Sequence, residues 1–234
     1  MISIIVPAYN EKNRLMEFTK SLIEYSRKNF EDYEIIFVDD GSKYNTLDIM
    51  KNLKTASKSS KNIRIISYKQ NQGKGHAVKI GVLEAKGDKI LFIDADGSIA
   101  PEEIPKMIEK LDKYDVVIGD RYSKESNIEQ PHHRVLTGTV FSVIANIIFP
   151  INTVDTLCGF KGFRREAARK IFSRLISNRW VFDVEVIYRA QKMKYKIYKM
   201  PFTWKHKEGS KIKIYAPFFM VLDLLKLKFK ILYA

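Results

Sequence analysis

The first half of the chain repeats one pattern, in which short apolar segments alternate with stretches of helical periodicity. Each apolar segment is rich in Ile, Val and Phe and is followed by polar or glycine-containing residues. Strands that alternate with helices predict a parallel sheet, wound in the right-handed sense, over about the first 120 residues. The predicted strands are 2–7, 33–39, 63–67, 89–94 and 116–120, and the predicted helices include 15–25, 78–85 and 104–111.

The fourth predicted strand ends in two carboxylates, Asp94 and Asp96, with Ala95 between them. The four apolar residues before Asp94 are typical of a strand buried on both faces, so both carboxylates would lie at its carboxyl end. Open α/β sheets bind ligands at that edge. Two acidic residues around a small one can share a divalent cation with phosphate oxygens, although turns and helix caps also use this pattern.

Composition limits the kinds of partner and of metal site. The formal charge of +14 indicates an anionic partner, which could be nucleic acid, an acidic membrane surface or a phosphorylated substrate. One cysteine excludes an intrachain disulfide, and four histidines leave little for a histidine-rich centre, so a metal would be held by oxygen. Residues 1–6 lack the pattern of a signal peptide, so we expect no export by that route.

Loops that could hold a nucleotide follow the other predicted strands. They contain Pro7, Ala8, Tyr9, Asn10 and Glu11 after the first strand, and Asp39, Asp40, Gly41 and Ser42 after the second. A carboxylate there can accept a hydrogen bond from a base or a ribose, Tyr9 can stack on a base, and Gly41 allows a tight turn. Lys74 lies between two glycines before a predicted helix, where backbone N–H groups favour an anion. The glycine spacing matches neither a Walker loop nor the dinucleotide fingerprint, which disfavours a nucleotide triphosphatase and a dehydrogenase. Taken singly, each of these residues is also an ordinary turn residue.

The second half predicts helices at 135–149, 165–175 and 181–193 and an edge strand at 196–201, which a proline ends. The Ser- and Lys-rich segment 54–61 is predicted as a solvated loop. The tail, 214–232, is largely apolar but contains Asp223 and several lysines, which favours a helix in a membrane interface over a spanning one. A helix that packs on the domain with solvated lysines is the alternative.

Motifs along the chain resemble those of family 2 glycosyltransferases with a GT-A fold. The motifs are 6–11, 38–42, 71–75 and 94–97, in this order. The later segments 155–161, 179–185 and 204–211 are similar to those of dolichyl-phosphate β-glucosyltransferases, close relatives of the dolichyl-phosphate mannose synthases. The resemblance implies a mostly parallel, Rossmann-like α/β sheet flanked by helices. It also implies a catalytic domain at 1–212, divided into a nucleotide-binding half (1–120) and an acceptor-binding half (121–212), and an amphipathic membrane-interface tail at 213–234.

The resemblance further implies an activity. It is an inverting transfer of a hexose, glucose from UDP-glucose, to a polyprenyl or dolichyl phosphate at the cytoplasmic face of a membrane to which the protein is peripherally attached. Transfer of mannose from GDP-mannose is the alternative. A basic nucleic-acid-binding protein is a distant one, because no stacking aromatic groove accompanies the lysines. No nucleic-acid partner is therefore expected.

Roles for individual residues also follow from the resemblance. Substrate-binding residues would be Pro7, Tyr9, Asn10, Glu11, Asp39 and Asp40 at the nucleoside, and Lys74, Asp94, Ala95, Asp96, Arg121, Arg134 and Lys211 at the phosphates. Asp94 and Asp96 would hold Mg²⁺ or Mn²⁺. Asp155, Asp183 and Arg134 would form the catalytic set, with Asp155 as a base or an orienting group; its alternative is a helix cap.

Four side chains receive expectations from general tendencies. Trp180 and Trp204 are expected in the core, because tryptophan is more often structural than a sugar platform. Either Asp183 or Glu185 is expected to be only a solvated charge on its helix.

Overall fold

A computed structural model describes residues 1–11, 14–129, 132–207 and 216–232. Within these residues the main sheet has seven strands in the order β3-β2-β1-β4-β7-β5-β8, and a second sheet pairs β6 with β9. The strands are β1 (Ile2–Ala8), β2 (Tyr33–Asp39), β3 (Ile63–Ser67), β4 (Lys89–Ile93), β5 (Val116–Gly119), β6 (Asn127–Glu129), β7 (Phe160–Arg164), β8 (Ile197–Met200) and β9 (Thr203–Lys205).

Helices cover both faces of the main sheet. They are α1 (Arg14–Asn29), α2 (Thr46–Ala56), α3 (Lys74–Glu84), α4 (Ile104–Lys110), α5 (His132–Ile148), α6 (Arg165–Ser173), α7 (Phe182–Lys192) and α8 (Ala216–Leu232). The buried side chains of β1, β2 and β4 alternate between two hydrophobic clusters. One cluster contains residues of α3, α5, α6, α7 and α8, and the other contains residues of α1, α2 and α4.

The parallel sheet predicted for the first half is confirmed for β1 to β4. Ile4 on β1 pairs with Ile35 on β2 and with Leu91 on β4, and β2 pairs in parallel with β3. Because parallel strands end at the same edge, the loops after β1, β2 and β4 meet there. The loops that carry the predicted ligand residues are therefore neighbours in space.

The position of β5 differs from a simple continuation of this sheet. Strand β7 lies between β4 and β5 and runs antiparallel to both. The sequence did not predict β7, because Lys161 and Arg164 interrupt its apolar pattern. Lys161 is nevertheless completely buried, and the tertiary structure supplies its partners.

Two other elements qualify the predictions. Helix α2 extends to Ala56, so the first part of the predicted loop 54–61 is helical, and Ser60–Asn62 forms one 3-10 turn. The edge strand predicted at 196–201 is confirmed as β8, which pairs with β5 alone within the described part of the chain. The helices predicted in the second half are confirmed as α5, α6 and α7. The described helices include none that is long and apolar enough to cross a membrane.

Candidate functional site

A pocket of about 410 Å³ opens at the edge where β1, β2 and β4 end. It is lined by ten of the residues that the sequence predicted: Pro7, Tyr9, Glu11, Asp40, Lys74, Asp94, Ala95, Asp96, Arg121 and Asp183. The residues come from both halves of the chain, and β7 connects the two halves in one sheet. The parallel topology therefore brings together the loops after β1, β2 and β4, and β7 brings the later segments beside them.

Lys74 and Asp94 form an ion pair inside this pocket, with 2.6 Å between Nζ and Oδ1. Lys74 is the first residue of α3, and Asp94 directly follows β4. Burial alone would lower the pKa of Lys74, but the carboxylates of Asp94, Asp183 and Asp96 raise it above its ordinary value. The lysine is therefore a permanent cation in the middle of the pocket.

The position of Asp94 depends on Gly159 in the neighbouring segment. The backbone N–H of Asp94 donates to the Gly159 carbonyl over 3.2 Å, and a Cβ at Gly159 would collide with the Asp94 carboxylate. Burial raises the pKa of Asp94, and nearby Asp96 and Asp183 raise it further, against the opposing effect of Lys74. Asp94 thus lies where a second cation would relieve carboxylate repulsion.

The donor set fits a divalent metal that is shared with a phosphorylated substrate. The described residues contain no group of three or more His, Cys, Asp or Glu side chains that could hold an ion by themselves. Asp94 and Asp96 can supply two carboxylates to an ion that a substrate also binds. The Asp96 carboxylate accepts a hydrogen bond from the backbone N–H of Ser98 at 2.9 Å. Mg²⁺ in proteins is commonly bound by one or two carboxylates, with water and substrate phosphate completing its shell.

Asp40 joins the loop after β2 to the loop before α3. Its Oδ1 accepts hydrogen bonds from the Tyr68 hydroxyl and from the backbone N–H groups of Gln72 and Gly73. Its Oδ2 accepts from the Asn71 side-chain amide and from Gly73. Asp40 therefore fixes the loop that leads to Lys74, in addition to lining the pocket.

Gly41 allows the two loops to approach one another. It has a φ of +65°, and a Cβ at this position would lie 2.5 Å from the carbonyl carbon of Gln70. The tight turn that the sequence predicted at Gly41 is confirmed.

Asn10 and Asp39 do not line the pocket, although both were predicted to bind substrate. Asn10 has a φ of 52°, and its side-chain oxygen accepts from the backbone N–H of Lys43. Asp39 accepts hydrogen bonds from the backbone N–H of Ser42 and the hydroxyl of Ser67. In this structure both side chains fix the loops that follow β1 and β2.

Arg121 lines the pocket, whereas Asp155 lies behind it. Both Asp155 oxygens accept from the Arg121 guanidinium, Oδ2 from Nε at 2.8 Å and Oδ1 from an Nη at 2.7 Å. Oδ2 also accepts from the Arg121 backbone N–H. Burial opposes the charge of Arg121, but Asp155 outweighs it and raises the arginine pKa above its ordinary value. This bidentate geometry fixes one cation at the pocket wall.

Asp183 and Glu185 are both buried, so the expectation that one is a solvated charge is wrong. Asp183 lines the pocket and accepts from the Lys161 ammonium at Oδ1. Glu185 accepts from the backbone N–H groups of Ile176 and Ser177 and from Arg189. Glu185 therefore anchors the segment before α7, which carries other pocket residues.

Trp180 and Trp204 pack against the two hydrophobic clusters as expected, but they are only partly buried, and both also line the pocket. The Lys74 ammonium lies 5.8 Å from the centroid of the Trp180 ring, and the Arg121 guanidinium lies 6.0 Å from that of Trp204. Arg179, His206 and Lys207 are further pocket residues without a predicted role. Their segments have no helical or strand periodicity that could reveal a site, and β9 and the turn before α7 bring them there.

Two predicted residues cannot be compared with the pocket. Arg134 belongs to the first turn of α5, but its side chain is outside the described part of the structure, and Lys211 lies outside the described residues.

Comparison with known proteins relates this site to a class of enzymes. The family model described as "Glycosyl transferase family 2" matches residues 3–172. A dolichyl-phosphate beta-glucosyltransferase of Dictyostelium discoideum is 36% identical over 99% of this chain and 75% of its own length. The enzyme of the same name from Homo sapiens is 34% identical over 95% of this chain and 72% of its own.

Solved structures share the architecture at lower identity. Glucosyl-3-phosphoglycerate synthase from Mycobacterium tuberculosis, crystallised with Mn²⁺, UDP-glucose and phosphoglyceric acid, is 17% identical. The match has a TM-score of 0.71 and covers 97% of this chain and 79% of the synthase. At this identity the similarity concerns the fold.

Proposed function

This chain belongs to glycosyl transferase family 2, and from that premise we propose that it transfers glucose from UDP-glucose to dolichyl phosphate or a similar polyprenyl phosphate. Its fold is the GT-A fold, with a mostly parallel sheet flanked by helices and with α8 as a C-terminal helix. The proposed substrates follow from the names of the relatives, which match nearly the whole chain.

One structural observation carries the proposal. A single pocket contains the carboxylate pair Asp94 and Asp96 together with two fixed cations, Lys74 and Arg121. Such a site can hold a sugar nucleotide and a phosphate acceptor side by side, because both substrates are anionic. A pocket for a neutral sugar acceptor would not need this concentration of charge.

We propose that the nucleoside lies against Pro7, Tyr9, Glu11 and Asp40, and that the diphosphate lies near Lys74. Asp94 and Asp96 would hold Mg²⁺ or Mn²⁺, which when bound would offset the negative charge of the leaving diphosphate. Lys74 acts in the same direction, because its ammonium is fixed beside Asp94 at the start of α3. Residues within 1–120 would thus bind the nucleoside and the diphosphate of the donor.

The acceptor phosphate would bind at Arg121, whose guanidinium is held by Asp155. Because a phosphate monoester is ionised near neutral pH, it needs little help from a general base. We therefore propose that Asp155 acts through Arg121 and does not take a proton. Arg134 and Lys211 remain proposed phosphate ligands from residues 121–212.

A second surface supports a membrane-bound acceptor. Exposed apolar side chains form one stripe along α5 and another along α8, and the two helices pack against each other. The stripes consist of Val140, Val143 and Ile147 on α5 and of Phe219, Leu222, Leu225, Phe229 and Leu232 on α8. Their opposite sides are buried in the core. We propose that this two-helix face lies on a membrane surface, with lysines near the end of α8 toward anionic headgroups.

The proposed activity is tested with the full chain in detergent, by transfer of radiolabelled glucose from UDP-glucose to dolichyl phosphate. GDP-mannose is assayed in parallel, and each donor is assayed with Mn²⁺, with Mg²⁺ and with a chelator. We expect metal-dependent labelling of the lipid from UDP-glucose. The Lys20→Gln variant is the control for loss of a surface charge, because Lys20 is exposed on α1.

Each other outcome changes the conclusion in a defined way. Labelling from GDP-mannose alone would make the enzyme a mannosyltransferase with the same acceptor. Absence of labelling from both donors, with protein that still binds UDP, would overturn the acceptor assignment. The assay in detergent does not address the side of the membrane, so attachment at the cytoplasmic face stays a prediction.

A further inference from the structure

A lysine with no access to solvent lies directly behind the pocket. Lys161 is the second residue of β7, in the interior of the main sheet, and its side chain is 0% exposed. Its Nζ donates to the carbonyl of Cys158 and to Oδ1 of Asp183, both at 2.5 Å. The ammonium also lies 5.5 Å from the centroid of the Phe92 ring. Lys161 does not itself line the pocket, but both of its hydrogen-bond partners, Cys158 and Asp183, do.

The burial of this cation has a physical cost that packing alone does not explain. A buried ion pair contributes little net stability, since removing both charges from water offsets most of their attraction. An apolar residue would suit the centre of a sheet better, as at the other inward positions of β4 and β5. The placement of Lys161 therefore indicates that Asp183 needs a buried cation beside it.

The surroundings of Asp183 explain such a requirement. Asp94 and Asp183 repel each other, and Lys74 attracts both from the pocket side. Lys161 attracts Asp183 from the opposite side and holds it at the start of α7. Without Lys161, Asp183 would be free to turn toward Lys74 and compete with Asp94 for it.

Asp183 has the chemistry of a group that recognises a hexose. With Oδ1 held by Lys161, Oδ2 is the oxygen left to accept hydrogen bonds from ligand hydroxyls, and bonds to a charged acceptor are short and strong. Trp180 lies nearby in the same pocket and offers an apolar ring for the C–H face of a sugar.

We propose that Lys161 is a positioning residue for the hexose site: it fixes Asp183 from behind so that Oδ2 accepts hydrogen bonds from the hexose hydroxyls of the donor. The inference rests on the proposed function, because it assumes a sugar nucleotide in this pocket. It predicts a specific defect. Loss of Lys161 weakens recognition of the sugar and leaves recognition of the nucleotide intact.

The experiment compares the affinities of the full chain for UDP and for UDP-glucose in the presence of Mn²⁺, by calorimetry. For Lys161→Met we expect the UDP-glucose Kd to rise by about tenfold, as for loss of a hydrogen bond to a charged group, while the UDP Kd changes by less than about twofold. Equal changes in both constants, or no change in either, would give Lys161 a structural role only and overturn the proposal.

Arg64→Met is the matched control. Arg64 also pairs with a buried carboxylate of the main sheet, since one of its Nη atoms donates to Glu34 at 3.0 Å, but neither residue lines the pocket. We expect both Kd values of this variant to stay within about twofold of wild type. A sugar-specific loss in Arg64→Met as large as in Lys161→Met would contradict a specific role for Lys161.

A second comparison applies if Lys161→Met does not fold, because that change leaves a buried carboxylate without its cation. Asp183→Asn keeps a side-chain oxygen that Lys161 can hold, and the double variant Lys161→Met with Asp183→Asn contains no buried charge there. A further loss of UDP-glucose affinity of about threefold in the double variant supports positioning, and equal affinities overturn it. If the proposed function itself fails, wild type binds UDP-glucose no more tightly than UDP. If only this inference fails, the variants still bind UDP-glucose more tightly than UDP.

Discussion

At the scale of single residues, the site is built from side chains that hold other side chains. Asp40 holds the loop before Lys74, Asp155 holds Arg121, and Lys161 holds Asp183. Such pairs preorganise charge, so that little rearrangement is needed when a substrate arrives. Substitutions in the supporting member should therefore have effects that resemble those in the residue it supports.

The Arg121–Asp155 pair gives a test of this idea. We expect Arg121→Gln and Asp155→Asn each to lower kcat/KM for the lipid acceptor by roughly 30-fold, because each removes one fixed cation from the acceptor side. The double variant should lose no more than about threefold beyond either single one, because all three remove the same interaction. Steady-state kinetics with varied dolichyl phosphate measures these values. Losses that multiply in the double variant would indicate an independent role for Asp155, such as that of a base.

The neighbouring aspartates Asp39 and Asp40 give a second test, on stability. Asp40→Asn points its new amide NH₂ at a backbone N–H in either orientation, because Gln72 donates to Oδ1 and Gly73 to both oxygens, and should lower the free energy of unfolding by about 1–3 kcal/mol. Asp39→Asn should cost less, because the Ser67 hydroxyl can turn and accept a hydrogen bond from the new amide. Urea unfolding followed by circular dichroism measures both. A larger loss for Asp39→Asn would contradict this account of the loop.

At the scale of elements, α5 and α8 differ from the other helices in having apolar residues on two sides. On α8, Met220, Leu224 and Leu227 are buried against the core, while Phe229 is 62% exposed. On α5, Ile147 is 78% exposed, although Phe141 and Ala145 on the same helix are buried. A packed helix with a polar outer face would explain one apolar stripe, and the membrane contact proposed above would account for the second.

The second stripe predicts a defect in membrane binding. We expect the double variant Ile147→Glu with Phe229→Glu to bind vesicles containing anionic phospholipid at least about tenfold more weakly, because both apolar contacts are replaced by charges that the headgroups repel. Vesicle flotation measures this partition. Met16→Glu on α1 is the matched control, because Met16 is exposed but α1 covers the opposite face of the sheet. Equal binding by the double variant and wild type would exclude this face as the contact.

At the scale of the whole molecule, one sheet joins the two halves of the site. Strand β7 pairs with β4, which directly precedes Asp94, and with β5, which precedes Arg121. Donor binding at one end of the pocket should therefore stabilise the complete domain and not one half alone. The net charge of +14 favours the approach of both anionic substrates and of an acidic surface.

This unity predicts one cooperative ligand-induced shift in thermal unfolding. At about 100 times Kd, UDP with Mn²⁺ should raise Tm by about 5 °C or more in a single transition. Asp94→Asn should lose the part of the shift that depends on Mn²⁺ and keep the part that UDP gives alone, since one of two carboxylate ligands is removed. Differential scanning calorimetry separates these parts. An unchanged Mn²⁺ increment in the variant would contradict the metal assignment to Asp94.

Local sequence determined the parallel half of the sheet and the loops at its edge. The apolar segments before Tyr9, Asp40 and Asp94 predict strands by themselves, and parallel pairing then brings their ends together. The motif resemblance added Arg121 and Asp183, which line the same pocket. These features could be predicted because each depends on a short segment and on one general rule of sheet topology.

Only the tertiary structure decided which side chains face the pocket and which support it from behind. Strand β7 has no continuous apolar pattern, and Lys161 is tolerable in it only because Asp183 arrives from a helix 22 residues later. Likewise, Trp180 and Trp204 line the pocket because β9 and the turn before α7 place them there, and Asp155 lies behind Arg121. The physical reason is that periodicity reports the burial of one element at a time, whereas pairs of buried charges are formed between elements distant in sequence.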